Sequence, residues 1–177
     1  MTTLKLAISE SQIQECVGRL AQLIQADYQD QPLLMVGVLH GSFIFVSDLI
    51  RYMNLPVQVD FVRLSSYDTL TKSSGEVRLH HGVRTSVVGK NVLVVEDIVD
   101  TGLTAQFIRG YFEDQGAATI RICSLLDKPV RRLTPVTVDY VGFEVPDEFI
   151  VGYGLDYNQQ YRELRALYSL DGIADVS

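Results

Sequence analysis

Cysteine is scarce in this 177-residue chain, and tryptophan is absent. The two cysteines, Cys16 and Cys123, are far apart, and each lies within an apolar pattern. They therefore offer neither the clustered cysteines of a disulfide framework nor those of a structural zinc site. We predict two buried, reduced thiols and a cytoplasmic protein.

Basic residues are also few relative to acidic ones. The chain has 15 Lys and Arg against 22 Asp and Glu, which gives a formal net charge of −7 at pH 7. Nucleic-acid binding that is independent of sequence relies on Lys and Arg to neutralise phosphates, so this charge argues against a nucleic-acid partner. If the protein binds phosphorylated ligands, metal ions or backbone donors must assist it.

Long hydrophobic runs are absent. The most apolar stretch, Leu33 to Ile50, is interrupted by polar residues, and the N-terminal residues lack the apolar region of a signal peptide. The composition, 47% hydrophobic and 21% charged, is that of an ordinary globular protein. We therefore expect no membrane association and a single domain over residues 1–177.

The apolar residues that are present alternate between strand and helix periodicity. Helical spacing covers residues 11–27, with Ser9 or Ser11 as the N-cap, and recurs in 43–53 and 104–116. Apolar runs of strand length occupy 33–39, 57–64, 92–95 and 119–126. This order predicts an α/β fold with a mostly parallel central sheet flanked by helices on both faces.

Two regions depart from this alternation. Residues 65–82 are rich in Ser, Thr and Gly and predict a long loop, either a lid or an insertion. Within it, His80 and His81 are adjacent and would point apart in an extended chain, so we predict solvated residues and no metal site. After Lys128, the short β-like pieces "VDYVGFEV" and "EFIVGYG" and a polar, aromatic tail predict a small cap appended to the sheet.

The stretch "VLVVEDIVDTGLTA", residues 92–105, is the most informative. Ligands of open α/β sheets bind beyond the carboxyl ends of the strands, where Glu96, Asp97 and Asp100 are expected. Residues 101–104 enter a helix, where free N–H groups and the helix dipole favour a phosphate. A sugar phosphate suits both groups, because its hydroxyls donate to carboxylates, directly or through Mg²⁺, while its phosphate binds the loop.

Other interpretations of this stretch are possible. It could be an acidic surface turn in which Asp100 or Thr101 caps the helix, although the complete strand, loop and helix favour a site. A P-loop NTPase is disfavoured, because the chain has no Gly-x-x-x-x-Gly-Lys-Ser/Thr run.

The same stretch resembles the phosphoribosyl diphosphate (PRPP) motif of type I phosphoribosyltransferases, in particular the hypoxanthine-guanine group. Residues 38–49 look like the family's pyrophosphate loop, 60–67 like the strand leading into its mobile catalytic loop, and 125–129 like its base-recognition strand. Residues 141–164 resemble the hood that completes the purine pocket. The resemblance implies a type I phosphoribosyltransferase fold, with a core at about 30–127 and a hood formed by the N-terminal segment and about 128–165.

The resemblance also implies roles for individual residues. Asp100 would lie beside N7 of the purine as the general acid/base, and Lys128 would donate to the oxygen at C6 of a 6-oxopurine. Phe149 would stack on the base, backbone groups of Ile150 would bind its Watson–Crick edge, and Asp156 would complete the purine site. Glu96 and Asp97 would bind the ribose hydroxyls and, together with Asp156, the metal. The 5′-phosphate would bind Thr101, Gly102, Leu103 and Thr104, and the pyrophosphate would bind His40, Gly41 and Arg162. The lid would contain Ser66 and Tyr67.

These roles have simpler alternatives. Phe149 and Ile150 alternate like any half-buried strand, Lys128 would also suit a solvated turn, and Arg162 a surface ion pair. His40 departs from the family's pattern, which usually places Lys or Arg there, and a neutral imidazole contributes less to diphosphate binding. The resemblance further implies a cis peptide bond at Leu39–His40.

The implied reaction transfers 5-phosphoribosyl from PRPP to N9 of hypoxanthine or guanine, which yields IMP or GMP and pyrophosphate. Mg²⁺ would neutralise the diphosphate, and the family suggests a homodimer or homotetramer. The alternatives are a phosphoribosyltransferase for xanthine or another base and a PRPP-sensing, nucleic-acid-binding regulator on the same fold. The acidic charge, Asp100 and the predicted lid oppose the regulator.

Overall fold

A computed structural model describes residues 3–29, 31–69 and 72–171, without the side chains of 66–76. Its architecture is a six-stranded sheet between helices, with a second sheet of three strands. In chain order the strands are β1 (Thr3–Ile8), β2 (Leu33–Leu39), β3 (Val57–Thr69), β4 (Lys72–His81), β5 (Asn91–Val99), β6 (Thr119–Asp127), β7 (Tyr140–Glu144), β8 (Ile150–Val151) and β9 (Leu167–Asp171). The helices are α1 (Glu10–Tyr28), α2 (Phe43–Arg51) and α3 (Leu103–Asp114), followed by a 3₁₀ turn at Pro129–Arg131.

The central sheet has the strand order β4-β3-β2-β5-β6-β7. All neighbours pair in parallel except β3 and β4, which are antiparallel at the edge. Strands β2 and β5 are buried along almost their whole length, because both of their faces are covered. The predicted α/β fold with a mostly parallel sheet is confirmed.

The helices cover opposite faces of this sheet. Side chains at odd positions of β2, such as Met35, pack with α1 and α2, whereas even positions, such as Val36, pack with α3. Helix α1 begins where the sequence predicts, since the Ser9 hydroxyl accepts from the Gln12 N–H and the Gln12 side chain accepts from the Ser9 N–H. These contacts fix the layers that support the carboxyl edge of the sheet.

The predicted long loop over residues 65–82 is wrong. Strand β3 continues to Thr69 and pairs with β4 in an antiparallel ribbon, with Arg63 opposite His81 and Thr69 opposite Lys72. Ser and Thr weaken a strand prediction, but backbone hydrogen bonds to a neighbouring strand outweigh that preference. Ser66 and Tyr67 lie in β3, and the predicted lid side chains fall outside the described ones.

The predicted cap is only partly right. Strand β7, from the "VDYVGFEV" piece, pairs in parallel with β6 and so belongs to the central sheet. Strand β8 instead joins β1 and β9 in an antiparallel sheet of order β1-β9-β8. A five-residue strand has too few residues to show which sheet it joins, and tertiary pairing decides the matter.

The structure bears on two further predictions, one about the cysteines and one about membrane-spanning segments. Cys16 and Cys123 are free and buried, as predicted, and burial raises the pKa of both thiols. Along the described ranges, no helix has the combination of length and apolar character needed to span a bilayer.

Candidate active site

The candidate site lies at the carboxyl edge of the central sheet. Strands β2, β5 and β6 are adjacent and parallel, so the segments that follow them meet at one edge. The turn at His40 and Gly41 follows β2, the acidic residues end β5, and Lys128 follows β6. The chain reverses its direction of strand addition between β2 and β5, which is where ligands of open α/β sheets bind.

Two carboxylates at the end of β5 lie in a desolvated environment. Glu96 is 4% exposed, and burial, followed by repulsion from Asp97, raises the pKa of Glu96 well above its usual range. Burial also raises the pKa of Asp97 to about 6, although backbone N–H groups and Arg162 oppose the rise. Buried carboxylates with raised pKa values are suited to hydroxyl donors or a metal ion that arrives with a ligand.

Asp97 lies directly against the turn that follows β2. A Cβ atom at position 41 would be 1.7 Å from Asp97 Oδ2, so a larger residue there would displace the Asp97 carboxylate. A Cβ atom at Gly154 would likewise be 2.1 Å from the Gly41 carbonyl oxygen, and Gly154 has φ +102°. The Leu39–His40 peptide bond is cis, as the resemblance implied. Three segments distant in sequence therefore meet at Gly41.

The third of these segments contains Asp156 and Arg162. Arg162 Nη2 lies 2.7 Å from Asp156 Oδ1, and Arg162 Nη1 donates to the Gly154 carbonyl at 2.7 Å. Both side chains act electrostatically on Asp97, Arg162 lowering its pKa and Asp156 raising it. Arg162 is thus part of the site as well as an ion pair.

The loop before α3 has the features of an anion site. Gly102, with φ +86°, occupies the N-cap position without a side-chain cap, and the first turn of α3 has no acidic residue. Helix N–H groups are then available to a phosphate. The loop is held from behind, because Leu133 N–H donates to the Thr101 carbonyl at 2.9 Å and a Cβ atom at Gly102 would lie 2.9 Å from the Thr134 carbonyl.

Asp100 and Lys128 are brought together at the ends of β5 and β6. Asp100 Oδ1 is buried and has no hydrogen-bond partner, whereas Oδ2 lies 3.4 Å from Arg131 Nη1. The Lys128 side chain is 5% exposed and lies 4.0 Å from Asp147 Oδ1. Burial lowers the pKa of Lys128, and Asp100 and Asp147 oppose that change. Lys128 is therefore not the solvated turn residue of the simpler interpretation.

Phe149 and Ile150 present different groups to this region. The Phe149 ring is exposed and meets Tyr157 edge-on, with ring centroids 5.5 Å apart. Because Leu170 N–H donates to the Phe149 carbonyl, Ile150 and Ser169 form a non-hydrogen-bonded pair. The N–H and C=O of Ile150 therefore point away from β9, on an edge strand of the small sheet.

The donor set suits Mg²⁺ bound together with a substrate. Within the described ranges, no group of three or more His, Cys, Asp and Glu side chains is arranged to hold a metal by itself. Mg²⁺ usually takes one or two carboxylates and completes its octahedron with waters and substrate phosphates. Asp97 and Asp156, which lie close enough to interact, offer carboxylate oxygens of that kind.

Sequence reasoning missed Arg131 and Asp147. Arg131 Nε lies 3.6 Å from Asp147 Oδ1, so Arg131 bridges Asp100 and Asp147. Their proximity to predicted residues was the available signal, since Arg131 is three positions after Lys128 and Asp147 two before Phe149. Spacing alone does not show that the two side chains meet.

We predict that Asp97→Asn stabilises the unliganded protein at neutral pH. Because the pKa of Asp97 rises from an ordinary 3.8 to about 6 on folding, the folded state binds the proton more tightly, and stability falls as pH rises through that interval. The variant buries no carboxylate, so its advantage should grow across the interval and reach roughly 1–3 kcal/mol above it.

Thermal unfolding of both proteins below pH 4 and above pH 7 measures this difference. Asp114→Asn, which removes an exposed carboxylate from α3, is the matched control and should change the melting temperature little at either pH. Equal melting temperatures for wild type and Asp97→Asn above pH 7 would contradict the prediction.

The chain was compared with models of protein families and with curated proteins. The family model of the phosphoribosyl transferase domain matches residues 9–158 of the chain. The chain is 45% identical over 160 residues to the hypoxanthine-guanine phosphoribosyltransferase of Bacillus subtilis (strain 168), a match that covers 90% of this chain and 89% of that protein. It is 44% identical over 160 residues to the hypoxanthine phosphoribosyltransferase of Haemophilus influenzae, covering 89% of each.

The fold is also similar to solved structures of proteins with the same names. A crystal structure of a hypoxanthine-guanine phosphoribosyltransferase from Bacillus anthracis has a TM-score of 0.90 and 44% identity, with 94% of this chain and 99% of that chain covered. A hypoxanthine phosphoribosyltransferase from Staphylococcus aureus also has a TM-score of 0.90, with 40% identity over 94% of this chain and 90% of that chain.

Proposed function

This chain belongs to the phosphoribosyl transferase family, and from that premise we propose that it transfers 5-phosphoribosyl from PRPP to N9 of hypoxanthine or guanine. The products are IMP or GMP and pyrophosphate, so the reaction is a step of purine salvage. The observation that supports this substrate class best is the pairing of a buried Lys128 with the unpartnered Asp100 Oδ1. O6 and N7 are neighbouring atoms of a 6-oxopurine, and these two side chains suit them.

PRPP would lie across the carboxyl edge of the sheet. Its 5′-phosphate would bind the 101–104 loop at the N-terminus of α3, and its ribose hydroxyls would donate to Glu96 and Asp97. The diphosphate would then reach the His40–Gly41 turn and Arg162. This placement directs the most negative part of the substrate toward backbone N–H groups and a guanidinium, and Mg²⁺ would screen it from Asp97, which lies against the same turn.

The purine would enter between the sheet edge and the hood. The exposed Phe149 ring offers a stacking face, and Ile150 offers an outward N–H and C=O to the Watson–Crick edge. Lys128, as a cationic donor, would donate to the exocyclic oxygen and disfavour the amino group of adenine. As N9 attacks C1′, the bond from C1′ to the pyrophosphate oxygen breaks, and Asp100 takes the proton from N7.

Members of this family generally use Mg²⁺ with PRPP, and we assign the metal contacts here to Asp97, Asp156 and Glu96. The ion would neutralise diphosphate charge during the transfer, which explains how a protein of net charge −7 uses a polyanionic substrate. Protein groups supply the remaining catalysis by holding both substrates in line and by placing carboxylates near the ribose ring, where positive charge develops.

A spectrophotometric assay tests the proposed function. Purified protein, PRPP and Mg²⁺ are incubated in parallel with hypoxanthine, guanine, xanthine, adenine and uracil. We expect nucleotide from hypoxanthine, guanine or both, and none from adenine or uracil. Product from adenine but from no 6-oxopurine would refute the assignment of Lys128, and the xanthine reaction shows whether that base is also accepted.

Replacing Asp100 tests the acid/base role. We expect Asp100→Asn to lower kcat by about 100-fold or more, because the amide cannot take the N7 proton. PRPP binding should change much less, since Asp100 is not assigned to PRPP. Single-turnover rates and PRPP titration measure the two effects separately, and equal losses in both would contradict the role.

Replacing Asp147 tests how Lys128 stays charged. Because the Asp147 carboxylate raises the pKa of Lys128, Asp147→Asn should lower it and move the alkaline limb of the hypoxanthine kcat/KM profile to lower pH. Asp147 is 59% exposed, so solvent screening keeps this shift small. Glu148→Gln, its neighbour with a weaker influence on Lys128, is the control; identical profiles for the two variants would count against the prediction.

A further inference from the structure

The loop between β8 and Asp156 holds three successive residues in left-handed backbone conformations. Tyr153 has φ +48° and stands between Gly152, at φ +100°, and Gly154, at φ +102°. A tyrosine rarely adopts such a conformation, whereas glycine does so readily. The side chain at position 153 therefore needs interactions that offset this cost.

Tyr153 has such an interaction with helix α2. Its side chain belongs to the hydrophobic core, the residue is 3% exposed, and its hydroxyl donates to Asp48 Oδ2 at 2.6 Å. The Asp48 carboxylate also accepts from Gln14 Nε2 at 3.1 Å and lies 3.9 Å from Arg51 Nη1. Burial, together with this hydrogen bond, raises the pKa of Tyr153, so the hydroxyl keeps its proton and remains a donor.

Helix α2 connects this bond to the turn that follows β2. The helix begins at Phe43, directly after the His40–Gly41 turn, and the Ser42 hydroxyl donates to the Val38 carbonyl at 2.7 Å. The turn and the helix are therefore one continuous, well-anchored piece. A hydrogen bond to Asp48 fixes the 152–156 loop relative to that whole piece.

A second set of contacts lies on the other side of Tyr153. Gly154 packs on the Gly41 carbonyl, and Arg162 donates to the Gly154 carbonyl. The Tyr153 and Gly154 N–H groups donate to the Leu164 and Arg162 carbonyls at 2.8 and 3.0 Å. The loop is thus held between the His40–Gly41 turn and the segment that contains Arg162.

We propose that Tyr153 is a positioning residue, whose hydrogen bond to Asp48 fixes the separation between the His40–Gly41 turn and the Asp156–Arg162 segment. This inference rests on the proposed function, in which both segments bind the pyrophosphate group of PRPP. Two segments that grip one diphosphate must keep their spacing to a fraction of an ångström. Apart from Asp156, the groups proposed for the purine are Lys128, Phe149 and Ile150, which lie outside this segment, so affinity for the base depends less on this spacing.

The chain contains a matched control for this bond. Tyr140 is 5% exposed, and its hydroxyl donates to Asp27 Oδ2 at 2.7 Å. Tyr140 begins β7 and Asp27 lies near the end of α1, so this pair is at the opposite edge of the sheet from the site. The Tyr140 hydroxyl additionally accepts from Arg121, so Tyr140→Phe removes a tyrosine hydroxyl with more hydrogen-bond partners than that of Tyr153, and a purely structural role of Tyr153 would give the two variants similar kinetics.

Steady-state kinetics on the full-length chain distinguish the two roles. We expect Tyr153→Phe to raise the KM for PRPP about 5- to 20-fold, which is less than the full contribution of a hydrogen bond to a charged group, because part of that loss lowers the stability of the fold instead. The KM for pyrophosphate in the reverse reaction should rise similarly, while the KM for hypoxanthine should stay within about twofold. Tyr140→Phe should leave all three KM values within about twofold of wild type, even if its melting temperature falls as much as that of Tyr153→Phe.

Asp48 provides an independent measurement. Asp48→Ala should raise the KM for PRPP at least as much as Tyr153→Phe does, and the double variant should be no worse than Asp48→Ala, because the Tyr153–Asp48 hydrogen bond can be lost only once. An active Tyr153→Phe enzyme with the PRPP KM of Tyr140→Phe would overturn the inference, as would full additivity in the double variant. Failure of the wild-type protein to form nucleotide from any purine would instead refute the proposed function.

Discussion

The close approach of Asp97 to Gly41 is the contact on which the rest of the site depends. It joins the end of β5 to the turn after β2, and the Gly41 carbonyl in turn receives Gly154 from the hood. A Cβ atom at position 41 would collide with the Asp97 carboxylate and one at position 154 with the Gly41 carbonyl, so the sheet and the hood approach each other closely at these two glycines. A site built on such contacts has little freedom to change its dimensions, which suits a ligand of fixed length such as a diphosphate.

Electrostatics divides the site into two functional halves. The acidic half, Glu96 and Asp97, is buried at a free-energy cost that appears as raised pKa values. The other half consists of backbone N–H groups at the start of α3 and of Arg162, which bind anions without adding to the burial of like charges. An acidic protein can therefore bind a polyanion, provided that sugar hydroxyls and Mg²⁺ face the carboxylates.

In the proposed purine pocket around Lys128, neighbouring charges likewise offset the free-energy cost of burial. Lys128 is buried, and Asp100 and Asp147 compensate for its loss of solvation, while Arg131 links the two carboxylates. Each charge in this group influences the others, so substitutions here will not act independently. The group also connects the end of β5 to the loop before β8, which places Asp100, the proposed acid/base residue, and the hood in one electrostatic unit.

The sequence alone determined the α/β class, the two candidate caps of α1 at Ser9 and Ser11, and the acidic strand end followed by a loop that enters a helix, because periodicity, capping and loop-to-helix signals are local. Family motifs added the roles of Asp100, Lys128 and Arg162, which stay predictions to be tested. Tertiary structure alone decided that β3 and β4 form a ribbon and that β7 joins the central sheet, since strand pairing depends on neighbours distant in the chain. It likewise decided that Tyr153 meets Asp48 and that Arg131 meets Asp147, because contacts between side chains 105 and 16 positions apart have no local sequence pattern.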